Sequence, residues 1–136
     1  MHKSPRFSAL LAALISLAFS AFVTAQDSTF EVKTKAGSTL QIVSQLTPLG
    51  INTIHSWELI LTTADGTPVS GAEIAVVGGM PLHDHGLPTE PRVTAETSAG
   101  HSLMEGVRFH MQGQWQMDFS IRTQSGEDTA LVEFEI

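Results

Sequence analysis

Cysteine is absent from the chain, and so is tyrosine. Without a thiol there is no disulfide, no lipid attached through cysteine, no thiolate zinc site, no iron–sulfur cluster and no blue-copper site built on cysteine. A fold made from this chain must therefore rest on backbone pairing and apolar packing. Basic residues are also scarce. Seven Lys and Arg stand against 14 Asp and Glu in 136 residues, a formal charge of −7. Phosphate backbones and anionic membrane surfaces repel such a chain, which argues against nucleic acid and anionic lipid as partners. The acidic balance suits cations or basic partners and equally serves solubility. Catalytic signatures are missing too: there is no Gly-x-Ser-x-Gly elbow, no His-Glu-x-x-His and no phosphate loop, so a non-enzymatic role is expected.

What is present begins with an export signal. Lys3 and Arg6 precede an apolar run from Phe7 to Phe22 that only Ser8, Ser16 and Ser20 interrupt. Val23-Thr24-Ala25 then offers small residues for a signal peptidase. Residues 1–25 are accordingly read as a signal peptide helix and residues 26–136 as one exported domain, periplasmic or otherwise extracytoplasmic. The alternative is an uncleaved N-terminal anchor, for which the apolar run is barely long enough, since a spanning helix needs roughly 17–25 residues. Over residues 26–136, five Lys and Arg against 14 Asp and Glu give −9.

Alternation is the main structural signal in this domain. From Val107 to Ile121 the odd positions are Val107, Phe109, Met111, Gly113, Trp115, Met117, Phe119 and Ile121, and the even positions are polar. Period two of this length predicts β-structure with one buried face, broken or bulged at Gly113. Further strands are expected at 30–33, 40–46, 54–63, 72–77, 93–97 and 131–136. Turn chemistry separates them at Asp65-Gly66-Thr67-Pro68, Gly78-Gly79 and Ser125-Gly126. About seven short strands in a domain of this length predict an all-β, immunoglobulin-like sandwich, with Trp57 and Trp115 in its core.

The stretch from Gly78 to Pro91 differs in kind. It holds three prolines, three glycines, His83, His85 and Met80. Proline fixes φ and restricts the residue before it, so a stiff loop is expected. In an extended segment His83 and His85 point to one side, about 7 Å apart at Cα, and two imidazoles can converge on one ion. Met80 can add a thioether. Imidazole with thioether is a ligand set for copper, above all Cu(I), and not for Mg²⁺, Ca²⁺ or Mn²⁺. Two ordinary surface histidines on a solvated loop is the competing reading.

Taken in order, His55-Ser56-Trp57, Asp65-Gly66-Thr67-Pro68-Val69, Gly71-Ala72, Met80-Pro81-x-His83-x-His85-Gly86-Leu87-Pro88-Thr89-x-Pro91 and Phe109-x-Met111-x-Gly113-x-Trp115 resemble the YtkA-like family. This family is related to FixH-like domains found near copper-oxidase assembly genes. The resemblance spans about residues 53–121, and Met-Pro-x-His-x-His-Gly is its most specific part. It implies an exported immunoglobulin-like sandwich with a role in copper handling, and a membrane-bound oxidase or transport complex as partner. Gly100-His101 departs from the family, which usually has tyrosine after this glycine. His101 is thus either a substituted core position or an added ligand.

The expected metal ligands are Met80, His83, His85 and Met111. Met111 lies on the apolar face of its run, where core packing competes with a role at the ion. His55 shares a face with Trp57 and is either a hydrogen-bonded core residue or part of the loop pocket. His110 falls on the polar face and is expected to be solvated, while Met104 and Met117 read as core filler. Two function classes follow: an exported copper-binding protein, a carrier or assembly factor, or a metal-free domain that docks a membrane complex through its loops.

Overall fold

The computed structural model describes residues 29–136, and the signal peptide and its cleavage site lie outside the described residues. Nine strands make two antiparallel sheets: β1 (Thr29–Lys33), β2 (Thr39–Ser44), β3 (His55–Thr62), β4 (Glu73–Met80), β5 (His85–Gly86), β6 (Arg92–Ser98), β7 (His101–Val107), β8 (Gln114–Thr123) and β9 (Gly126–Glu135). One sheet runs β1-β2-β3-β7-β6 and the other β5-β4-β8-β9. Numbering β2, β3, β4, β5, β6, β7, β8 and β9 as A, B, C, C′, D, E, F and G gives sheets ABED and C′CFG, the immunoglobulin order. The added β1 extends the first sheet along β2, with Phe30 opposite Ile42 and Val32 opposite Leu40.

Period-two sequence becomes period-two burial. β3 turns His55, Trp57, Leu59 and Leu61 inward, and β8 turns Trp115, Met117, Phe119 and Ile121 inward. Trp57 and Trp115 are both fully buried, as are Met104 and Met117. Aromatic rings gather at one end of the sandwich. Phe109 lies 5.0 Å from Trp115, 5.5 Å from Phe134 and 6.0 Å from Trp57 between ring centroids. Such pairs add about 0.5–1.5 kcal/mol each beyond the area they bury.

Three segments differ from the expectation. The run from Val107 to Ile121 is not a strand pair meeting at Gly113: Val107 ends β7, residues 108–113 are a connector, and β8 starts at Gln114. The connector is nevertheless tied down. Phe109 bridges to Ile51, and Gly113 exchanges both backbone hydrogen bonds with Ile136, at 2.9 and 3.1 Å. Gly78 and Gly79 are not a turn but the end of β4, and the turn follows at residues 81–84. Finally, β7 includes the Gly100-His101 neighbourhood, where no strand was expected.

Candidate functional site

The site of interest is the hairpin joining β4 to β5, at the aromatic end of the sandwich. Met80 pairs with His85 and Gly79 with Gly86 across it. Glycine is required here by close approach. A Cβ on Gly79 would stand 2.9 Å from the His85 carbonyl oxygen, and one on Gly78 would stand 2.4 Å from the Met117 sulfur. Glycine at both positions lets β5 fold back tightly and fixes where His85 emerges. The turn closes with the His83 N–H donating to the Met80 carbonyl at 3.0 Å, and Asp84 takes a positive φ of 52°. Aspartate is among the residues that tolerate this region.

His83 and His85 therefore do not share one extended strand, as their spacing suggested. His83 is in the turn and His85 begins β5. The structure still brings them together: both are exposed, and their rings stack with centroids 6.5 Å apart and planes 22° apart. Met80 goes elsewhere. Only 1% exposed, it points into the core, and its methyl carbon sits 3.0 Å from where a Cβ on Gly113 would be. Met111 is half-buried against the core on the connector. Met80 is thus enclosed and Met111 half-covered at the sandwich end, while both imidazoles stand in solvent.

A histidine absent from the expected ligand set joins them. His110 is half-buried, not solvated, with its ring 6.0 Å from His85 and 5.6 Å from Trp115, edge-on to each. Its Nδ1 is buried without a hydrogen-bond partner. Parity misled here because residues 108–113 are a connector, where alternation does not set direction. The run of aromatic and histidine residues 109, 110 and 115 was the available signal.

The other histidines are structural. His55 is buried, its Nδ1 3.0 Å from the Thr53 carbonyl and its Nε2 accepting from Trp57 Nε1 at 3.1 Å. This arrangement fixes the neutral tautomer with the proton on Nδ1, and burial lowers the pKa. His101 is partly exposed on β7 and pairs through Nδ1 with the Glu58 carboxylate at 2.7 Å. It is neither a core residue nor a neighbour of the hairpin.

Two imidazoles on one ion have ring centroids at most about 6.4 Å apart, and about 5.2 Å apart at the tetrahedral angle, given metal–nitrogen bonds of roughly 2.0–2.1 Å. The His83–His85 separation lies just beyond this limit and the His85–His110 separation just inside it. Among the described residues no group of three or more His, Cys, Asp or Glu side chains is set to hold a metal ion as it stands. Sharing an ion requires the exposed rings to close by about 1 Å. Charge favours such an ion. A cleft of about 320 Å³ beside the hairpin is lined by His85, Asp84 and Asp118 and by no Lys or Arg. Asp118 accepts from Gln116 Nε2 at 3.0 Å, which holds its carboxylate in place.

No curated protein matches the chain. A solved DUF4426 family protein from Pseudomonas aeruginosa PAO1 superposes with a TM-score of 0.55 at 12% identity, covering 80% of this chain and 94% of its own. At that identity the likeness concerns the fold alone. A ZirS C-terminal domain aligns over 98% of this chain and 83% of its own, at 14% identity and a TM-score of 0.41. The YtkA-like family matches residues 38–120, a span that runs from just before β2 into β8 and takes in the hairpin and the connector. More than half of the 136 residues lie within that match, and the chain belongs to the YtkA-like family.

Proposed function

We propose that this protein is an exported copper-binding sandwich that carries or delivers the ion to a membrane-bound oxidase or transport complex. In this reading it binds and does not catalyse, and it begins at Gln26 after cleavage of the signal peptide. The observation that carries the reading is the pair of exposed, stacked imidazoles of His83 and His85 on a hairpin whose backbone path glycine dictates. The donors fit copper. Imidazole is available at the surface and the half-buried Met111 offers a thioether at the sandwich end, while the chain lacks the thiols that would otherwise do this work. Bound copper would supply no chemistry beyond its own transfer. The protein's part is to present two imidazoles on a hairpin beside an acidic cleft and to limit the entropy lost on binding through a short, closed turn.

Titration of the mature protein with Cu(I) against an optical competitor ligand tests this. The double variant His83→Ala, His85→Ala should fold as the wild type does and lose binding. Met111→Leu keeps the volume and removes the sulfur of the half-buried thioether, so it should weaken Cu(I) more than Cu(II). Wild-type Cu(I) affinity in the double-histidine variant would overturn the copper reading and favour the metal-free docking domain.

A further inference from the structure

We infer that His110 is a third imidazole ligand of the same ion, one that neither the motif spacing nor the alternation assigns. The inference rests on the copper reading above and extends it to a second loop. Three observations converge on this residue. Its ring lies 6.0 Å from that of His85, closer than the His83 ring at 6.5 Å, although it comes from the connector between β7 and β8. That connector is pinned on both sides of His110, through the Asn52 N–H donating to the Phe109 carbonyl at 2.7 Å and through the Gly113–Ile136 pair. And Nδ1 of His110 is buried with no partner.

An orphaned buried polar atom is destabilising, and native proteins keep few of them. His110 Nδ1 retains a site for a proton or a lone pair that the fold leaves unused. An ion that His85 brings to this end of the sandwich gives that nitrogen a partner. The Trp115 ring packs edge-on with the imidazole at 5.6 Å, and Trp115 is itself fixed by donating Nε1–H to the Met111 carbonyl at 3.0 Å. His110 is thus the rigid member of the set, and His83 and His85, both exposed, are the members that close on it.

The set then spans two loops, so copper would cross-link the β4–β5 hairpin to the β7–β8 connector. A third nitrogen also shifts the preference of the site toward Cu(II), because imidazole suits Cu(II) while thioether favours Cu(I).

Pulsed electron paramagnetic resonance of the Cu(II)-loaded mature protein counts bound imidazoles through their remote nitrogens. Wild type should show three, and His110→Ala should show two with Cu(II) affinity weaker by at least about tenfold. His110→Phe keeps a ring against Trp115 without a donor, so it should lose the same nitrogen while melting close to wild type. An unchanged nitrogen count and affinity in both His110 variants, with copper still lost in the double variant of His83 and His85, would overturn this inference and leave the copper reading standing. Failure of wild type itself to bind copper would end both.

Discussion

His55 makes the stability of this domain sensitive to pH in a window well above the carboxylate range. Its neutral form uses both ring nitrogens, donating from Nδ1 to Thr53 and accepting at Nε2 from Trp57 Nε1 at 3.1 Å. Burial opposes the charge on this ring, and a proton added at Nε2 would also face the indole N–H directly. The unfolded chain takes up this proton near the ordinary value of 6.5, whereas the folded domain does so only at lower pH. The contribution is therefore complete above 6.5 and is lost as pH falls from there toward the lowered folded value. One proton of difference gives a slope of at most about 1.4 kcal/mol per pH unit. Trp57→Phe leaves Nε2 buried without its donor, which costs about 1–3 kcal/mol at neutral pH. At roughly 4–8 °C per kcal/mol for a domain of this size, that is readily measured. The same variant should flatten the pH slope, because a proton at Nε2 no longer opposes an N–H. Urea unfolding of wild type, Trp57→Phe and His55→Leu between about pH 8 and pH 5 provides the assay. An identical pH slope in wild type and His55→Leu would refute the reasoning. Asp65, held low chiefly by its hydrogen bond from Thr63, loses its own contribution only below its ordinary 3.8, outside this window.

Two further outcomes follow from packing. Gly79→Ala should destabilise the domain by about 1–3 kcal/mol, because the new Cβ meets a backbone oxygen that cannot step aside, and it should weaken copper binding by moving His85; unchanged melting in thermal unfolding would contradict the tight hairpin. Trp57→Ala and Trp115→Ala should each cost about 3–5 kcal/mol, since both side chains are fully buried. Calorimetry of the two variants checks this, and near-wild-type melting of both would mean that the inward face has been misplaced.

The parts of the fold legible in the sequence are those where hydrophobicity and parity agree. β3 and β8 alternate cleanly, and their inward residues are the ones expected. β7 escaped because its polarity runs against its burial. Ser102 is buried and Leu103 only partly so, and the register with both neighbours shifts. β5 is two residues long, too short for any period to show. Both segments follow tertiary contacts rather than local pattern.

The candidate site divides in the same way. His83 and His85 were identifiable by residue type, yet the geometry that joins them is a turn and not a strand. Met80 has the right chemistry but sits at an inward position of β4, so packing claims its side chain. His110 has no motif of its own. Only the folding of the connector over Trp115 brings it to His85.

The most direct test of the histidine-rich end as a copper site is a nitrogen-15 NMR spectrum of the mature protein titrated with substoichiometric Cu(II). Paramagnetic broadening falls off steeply with distance, so the resonances that vanish first locate the ion. Loss should begin at residues 80–86 and at residues 108–113, with the opposite end around Gly66 and Gly126 spared. Broadening that starts elsewhere, or none at one equivalent, would contradict a copper site at this end of the sandwich.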